Sequence, residues 1–192
     1  MFTAYQGYPA QSIGFVLPYG GFASYNFAQQ PTYIIRSKLS GRALDVSQTN
    51  DWGNQQGDLI IYDYVGGLNQ QWHLIMEGPD FVIRSAQSGK VLDSAFAGYQ
   101  HWNLNPTSLG SNITQAYGTP RVRENEYSGT MAQKWRIQEL SPGSGQFVIY
   151  CSGTGKVLDV QHESGSNNAP VIPYDFHGRD NQVWTIQPAN GM

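Results

Sequence analysis

The sequence predicts an all-β fold assembled from three copies of one structural unit. The prediction rests on an internal repeat, on a Gln-x-Trp motif that closes each copy, and on composition. The chain has 192 residues, of which 40% are hydrophobic and 13% are charged, and it contains 22 Gly and 10 Pro. Scattered glycine and proline are typical of many turns joining short strands. No helical periodicity runs long enough to compete with strands.

The repeat has a first strand, a glycine turn, and a second strand that ends on Leu-Asp. The first strands are predicted at 33–37, 81–85 and 147–152. The turn and the second strand follow at 40–45, 88–93 and 154–159. None of these copies is large enough to bury an apolar face alone, so we expect the three to associate.

The Gln-x-Trp motif follows the Leu-Asp of each copy and precedes an alternating strand. The Asp-to-Trp separations are 27 (45 to 72), 42 (93 to 135) and 25 (159 to 184) residues. Copy two therefore carries an insertion of roughly 15 residues. A third strand is predicted before the motif, at 59–64 in copy one and at 171–176 in copy three. Closing three such units around a three-fold axis removes most free sheet edges, which predicts a β-trefoil.

These motifs resemble the ricin B-type lectins and the related fungal lectins over residues 33 to about 187. The resemblance implies a lectin domain at 32–192, with pseudo-threefold repeats at about 32–78, 79–144 and 145–192, after an N-terminal extension at 1–31. It also implies carbohydrate binding without catalysis. The expected ligands are galactose or N-acetylgalactosamine termini on glycoproteins or glycolipids.

The tryptophans of the motif are expected to be structural, since one large ring from each unit would fill the core near the axis. They are Trp72, Trp135 and Trp184. The resemblance implies that the motif glutamines are chiefly scaffold residues that lie within the sugar site.

Recognition of a sugar requires a carboxylate for its hydroxyls, a carboxamide, and an aromatic face for its C–H patch. The family supplies these as an Asp after the second strand, an aromatic on the third strand, and an Asn before the motif. Copies one and three contain all three at the same spacing, with the aromatic ten and the Asn three positions before the Trp. The candidate carbohydrate-binding residues are Asp45, Gln48, Tyr62, Asn69, Gln70, Asp159, His162, Tyr174, Asn181 and Gln182.

Copy two departs from this pattern and is expected to hold a degenerate site. It retains Asp93, but Asn125 stands at the aromatic position and Ala132 at the Asn position. Tyr127 or Tyr117 remains a possible substitute for the ring. A structural explanation also exists for copies one and three, because an Asp after a strand often caps a turn. The same triad occurs in copies one and three, and copy two lacks both the aromatic and the Asn. This pattern favours a sugar-binding role over a purely structural one.

Other functions are less well supported. A protein-binding trefoil such as a protease inhibitor is the alternative, with its determinants in the long loop of copy two. A glycosidase needs two carboxylates facing one bond, and the repeat distributes Asp45, Asp93 and Asp159 far apart. The four His lack ligand spacing, so no metal site or cofactor is predicted. A net charge of -3 without a Lys/Arg cluster gives no indication of nucleic-acid binding.

The N-terminal region predicts a cytoplasmic protein that acts on external glycans after release. Its first basic residue is Arg36, so it lacks the positive region of a signal peptide. No segment approaches the length of a membrane span. Residues 1–31 contain eight aromatic rings and no charge. We expect this extension to pack, either on its own trefoil or on a second copy of the chain in a homodimer, unless it forms a sticky prion-like tail.

Overall fold

The computed structural model describes residues 30–49, 57–94 and 121–189. These residues form twelve β-strands, four in each repeat. The first repeat contains β1 (Tyr33–Ser37), β2 (Ala43–Val46), β3 (Leu59–Tyr62) and β4 (Trp72–Glu77). The second contains β5 (Asp80–Ser85), β6 (Val91–Asp93), β7 (Arg123–Asn125) and β8 (Trp135–Glu139). The third contains β9 (Phe147–Cys151), β10 (Val157–Val160), β11 (Ala169–Tyr174) and β12 (Trp184–Pro188).

The outer strands of the three repeats close into a six-stranded antiparallel barrel. Its order is β1–β4–β5–β8–β9–β12, and β12 returns to β1 through five residue pairs. The remaining strands form three hairpins, β2–β3, β6–β7 and β10–β11. This arrangement confirms the predicted β-trefoil.

The hairpins contact one another and cover one end of the barrel. Strand β11 pairs with β3, and Leu59 N donates to Val122 O at 2.9 Å. A bridge between Asp58 and Arg123 joins the first two repeats, with Arg123 Nε 2.6 Å from the carboxylate of Asp58. Asp58 is buried, so this pair links the repeats where little water screens the charges.

The three tryptophans of the Gln-x-Trp motifs lie inside the core, each with no exposed surface. Each ring donates its Nε1 hydrogen to the carbonyl of the leucine that precedes the repeat's Asp. The three pairs, with distances of 3.1, 3.1 and 3.2 Å, are Trp72 with Leu44, Trp135 with Leu92, and Trp184 with Leu158. The same ring thus fills the core and fixes the strand that carries the Asp.

The third strands end two residues earlier than the sequence predicts. Strand β3 stops at Tyr62 and β11 stops at Tyr174. The next residue is Asp63 in one repeat and Asp175 in the other. Its carbonyl accepts a hydrogen bond from the side chain of the motif glutamine and not from a neighbouring strand. The predictions for residues 1–29 and for most of the copy-two insertion, 95–120, lie outside the described residues.

Candidate functional site

The Leu-Asp ending of each second strand places a carboxylate on the outer face of a hairpin. Leu44 and Val46 belong to the core, and Asp45 stands between them. Successive side chains on a strand point to opposite faces, so Asp45 points away from the core. Asp159 occupies the same position in β10. Both residues are nearly buried, with 5% and 3% of their surface exposed.

The motif glutamine lies behind this carboxylate and holds it. Gln70 Nε2 donates to Asp45 Oδ2 at 2.7 Å and to Asp63 O at 2.9 Å, while its Oε1 accepts from Val65 N at 2.8 Å. Gln133 and Gln182 make the same three kinds of contact in their repeats.

The predicted sugar-binding set includes Gln70 and Gln182, but the structure gives these two side chains no exposed surface. Their amide groups are fully used within the protein, so neither side chain offers a hydrogen bond to a ligand. Their role at the site is to orient the carboxylate.

In the first repeat, the structure brings the predicted triad of Asp45, Tyr62 and Asn69 to one place. Asn69 Nδ2 donates to Asp45 Oδ1 at 2.7 Å. Asp45 lies opposite Ile60 in the β2–β3 ladder, so Tyr62, two residues further along, shares its face. We call these three residues the first-repeat site.

The Asp45 carboxylate keeps hydrogen-bonding capacity for a ligand. Its oxygens offer about four lone-pair positions, and Asn69 and Gln70 use two of them. Burial raises the pKa of Asp45 to about 6, and the hydrogen bonds from Gln70 and Asn69 oppose that rise. A ligand hydroxyl that donates to the carboxylate would compensate part of the lost hydration.

In the third repeat, Asp159, Tyr174 and Asn181 line one open pocket of about 530 Å³. We call these three residues the third-repeat site. Asp159 lies opposite Ile172 in the ladder, so Tyr174 again shares its face, and Tyr174 is 51% exposed. A half-exposed ring beside a carboxylate offers a flat apolar surface to a bound sugar.

The polar groups around Asp159 differ from those around Asp45. Gln182 donates to Asp159 Oδ2 at 2.7 Å, and His177 Nε2 lies 3.3 Å from the same oxygen. The His177 ring meets the ring of Tyr174 edge-on, with 6.0 Å between centroids. Burial raises the pKa of Asp159, opposed chiefly by the hydrogen bond from Gln182, then by His177 and Asn181.

The pocket contains residues that the predicted set did not include. They are His177, Arg179 and Glu163. Arg179 forms an ion pair with Glu163 at the pocket. No motif indicates these residues, because they lie in loops whose geometry the repeat does not determine.

The two residues three positions after the Asp have different surroundings. His162 lines the third-repeat pocket and adopts a left-handed backbone, with φ of 59°. Gln48 is exposed and donates to Val46 O at 2.8 Å and to Gln87 Oε1 at 3.1 Å. Gln48 thus contacts the second repeat, and no contact with the first-repeat triad is seen among the described residues.

The second repeat holds its carboxylate in a third way. Gln133 Nε2 donates to Asp93 Oδ2 at 3.0 Å. Asn125, which replaces the aromatic, donates to the same oxygen at 3.3 Å. A carboxamide from a different strand thus contacts the carboxylate in place of the one missing at Ala132, and the degenerate site stays a prediction. Tyr127, a possible substitute ring, instead donates to the carboxylate of Glu77; Tyr117 lies outside the described residues.

Two other classes of site were sought in the described part of the chain. No group of three His, Cys, Asp or Glu side chains there is arranged to hold a metal ion. The same residues contain no helix with the length and apolar character that a membrane span requires.

Comparison with known proteins gives one family and one fold. A family model described as a ricin-type beta-trefoil lectin domain-like family matches residues 23–98 and 131–192. No curated protein matches the sequence. Among solved structures, the designed three-fold symmetric protein ThreeFoil is 32% identical, with a TM-score of 0.63, over 81% of this chain and 96% of that one.

Natural proteins that contain this fold include lectins and, over part of its length, an enzyme. The Macrolepiota procera ricin B-like lectin, solved with lactose, is 22% identical with a TM-score of 0.60 over 81% of this chain and 94% of its own. The Rhizoctonia solani agglutinin is 22% identical with a TM-score of 0.57, over 83% and 95%. An exo-beta-1,3-galactanase from Clostridium thermocellum is 22% identical with a TM-score of 0.62, over 82% of this chain but 30% of the enzyme.

Proposed function

The chain belongs to the ricin-type β-trefoil lectin family, and we propose that it binds glycans with terminal galactose or N-acetylgalactosamine at two sites. The sites are the first-repeat site and the third-repeat site. The observation that carries the proposal is the convergence of a carboxylate, a ring and a carboxamide, twice, on the outer face of a hairpin. Family membership supports carbohydrate binding, and we propose that the chain itself catalyses no reaction.

The chemistry of the triad suits galactose. Its axial hydroxyl leaves one face of the sugar apolar and sets two neighbouring hydroxyls where one carboxylate can accept from both. Hydrogen bonds to a charged acceptor are the stronger kind. The apolar face would then lie on Tyr62 or Tyr174, whose rings share the face of the carboxylate.

A glycan array tests the proposal with wild type beside Asp45→Ala/Asp159→Ala. We expect the double variant to remain folded, because burial raises the pKa of both carboxyls and so disfavours their charged forms. Its stability should fall, since Gln70 and Gln182 each lose one hydrogen-bond partner. We expect its signal on galactose-terminated glycans to disappear.

The matched pair Tyr62→Ala/Tyr174→Ala removes the two rings and leaves both carboxylates in place. It should also lose the signal, and the exposure of Tyr174 makes a folding defect a poor explanation. Retained binding by either folded double variant would refute the site assignment. Binding confined to glycans without galactose or N-acetylgalactosamine would refute the proposed specificity.

A further inference from the structure

The residue two positions before the site asparagine differs between the two sites. It is Gly67 in the first repeat and Arg179 in the third. The backbone is nearly the same at both, with φ and ψ of -66° and 151° at Gly67 and of -85° and 164° at Arg179. Any residue adopts these extended angles. The backbone conformation therefore gives no reason for a glycine at position 67.

The space that the carboxamide of Asn69 occupies does explain the glycine at position 67. A Cβ atom placed on Gly67 would overlap Asn69 Oδ1. Asn69 occupies that space while its Nδ2 donates to Asp45 Oδ1 at 2.7 Å. The orientation of the amide that bonds to the carboxylate thus depends on the absence of a side chain at position 67.

The third repeat has a side chain at the corresponding position, and its site carboxamide is oriented differently. Arg179 has a Cβ, and Asn181 Nδ2 donates to the carbonyl of Val160 at 3.2 Å. His177 Nε2 lies 3.3 Å from Asp159 Oδ2, the oxygen that Gln182 also bonds, whereas Asn69 bonds the other oxygen of its carboxylate, Oδ1. Asn181 also lowers the pKa of Asp159, but less than Gln182 and His177 do.

Asn181 is 2% exposed, yet its Oδ1 has no hydrogen-bond partner among the described residues. A buried acceptor without a partner in the wall of a pocket can accept a hydrogen bond from a bound ligand.

We propose that residues 67 and 179 determine the ligand preference of their sites by setting the orientation of the site carboxamide. This inference rests on the proposed function. An amide nitrogen carries two hydrogens, so the first-repeat site keeps one N–H of Asn69 for an oxygen atom of the sugar. The third-repeat site instead presents Asn181 Oδ1, which selects a sugar that places a hydroxyl or an acetamido N–H there.

A ligand-independent measurement tests the orientation first. The side-chain amide resonances of Asn69 should shift with pH as Asp45 titrates, because the amide donates to that carboxylate. In Gly67→Ala this pH-dependent shift should disappear, and the midpoint of Asp45 should move to higher pH, because Asn69 lowers the pKa of Asp45. An unchanged titration of Asn69 in the folded Gly67→Ala protein would overturn the inference whatever the ligand.

Ligand titrations test the consequence, with methyl β-galactoside and N-acetylgalactosamine as probes. In an Asp159→Ala background, which isolates the first-repeat site, Gly67→Ala should weaken galactoside binding about tenfold, the loss of about one hydrogen bond to a charged group. The same substitution in an Asp45→Ala background should leave the third-repeat site unchanged. Equal affinities with and without Gly67→Ala in the Asp159→Ala background would overturn the inference.

The third repeat supplies a matched pair of variants in the Asp45→Ala background. Arg179→Gly removes the Cβ, so Asn181 can turn toward Asp159, and the pH midpoint of binding should fall. Arg179→Ala removes the charge but keeps the Cβ, so the midpoint should stay. Identical behaviour of the two variants would contradict control by the Cβ. If the isolated sites bind neither probe while the Asn69 titration behaves as expected, the proposed function is wrong and the orientation effect stands.

Discussion

At the scale of single residues, Asp45 combines the charge that we propose to bind the sugar with a position that disfavours that charge. The residue is 5% exposed, and burial raises the pKa of its carboxyl group to about 6 from 3.8. Two amide donors reduce this effect without cancelling it. The site is thus one where the chain retains a charge that its own fold does not favour, which is common where ligands bind.

Binding at the first-repeat site should decrease in acid. Only the ionised carboxylate accepts two hydroxyl hydrogens, and a group with a pKa of about 6 is roughly 10% ionised at pH 5. In Asp159→Ala, the affinity for methyl β-galactoside should therefore fall about tenfold between pH 7.5 and pH 5. Calorimetric titration across this range measures it. A flat profile would show that the charge of Asp45 is not used.

The same group should affect stability in the opposite direction. Its pKa is higher in the folded than in the unfolded chain, so between about pH 4 and pH 6 the folded state binds more protons at this position. The contribution to stability is present below that window and is lost as the pH rises through about 6. We expect the unfolding free energy of wild type, relative to that of Asp45→Ala, to increase as the pH falls from 7 to 4. Urea denaturation at each pH measures it, and a difference independent of pH would contradict the raised pKa.

The motif glutamine should matter for stability more than an ordinary polar residue does. Gln70 is fully buried and satisfies Asp45, a backbone carbonyl and a backbone N–H at once. Gln70→Ala should destabilise the fold by about 2–4 kcal/mol, since it leaves these groups without partners and opens a cavity. The exposed Gln138 of β8 gives the matched control, and Gln138→Ala should change stability little. Equal effects in chemical denaturation would contradict the scaffold role.

At the scale of elements, a turn of one repeat packs on a loop of the previous one. Gly153 lies between β9 and β10, and a Cβ there would meet the backbone of Met131 and Ala132 at 2.8 to 3.0 Å. Backbone atoms cannot move aside as a flexible side chain can. Ser152 N also donates to Lys134 O at 2.8 Å, so the two segments are held together.

Gly153→Ala should therefore destabilise the protein by about 1–3 kcal/mol through overpacking. Thr154→Ala, in the same exposed turn, keeps the backbone contact intact and should change stability by only a few tenths of a kcal/mol. Thermal unfolding of the two variants distinguishes them. A Gly153→Ala protein as stable as Thr154→Ala would show that the 3-10 turn at Met131–Gln133 yields to the new methyl group.

The elements also show which features of the structure the sequence predicts and which it does not. The repeat predicts the strands, the core position of Trp72 and the position of Asp45 next to its glutamine, because each follows from strand periodicity or from an aligned motif. It does not predict that Asn125 replaces the missing carboxamide of the second repeat. Nor does it predict the different orientation of Asn181. Both depend on the reach of one side chain and on steric overlap, which the one-dimensional pattern does not contain.

At the scale of the whole molecule, the two proposed sites belong to hairpins of different repeats, β2–β3 and β10–β11, that are arranged around one axis. Each site can therefore bind a glycan independently of the other, and the two glycans can belong to different particles. A single shallow sugar site has an affinity of order millimolar, so joining two glycan-coated surfaces requires both sites to act together.

Bridging should therefore depend on both repeats, whereas simple binding should not. Wild type should aggregate beads coated with galactose-terminated glycans, while Asp45→Ala and Tyr174→Ala, each with one site, should need roughly 100-fold more protein. Each variant should still bind single beads, which a pull-down measures as the control. If the single-site variants aggregate beads as well as wild type does, the second valence comes from a second copy of the chain. In that case the concentration at which bridging is lost on dilution reports the dissociation of a dimer, and the two-site model of one chain is wrong.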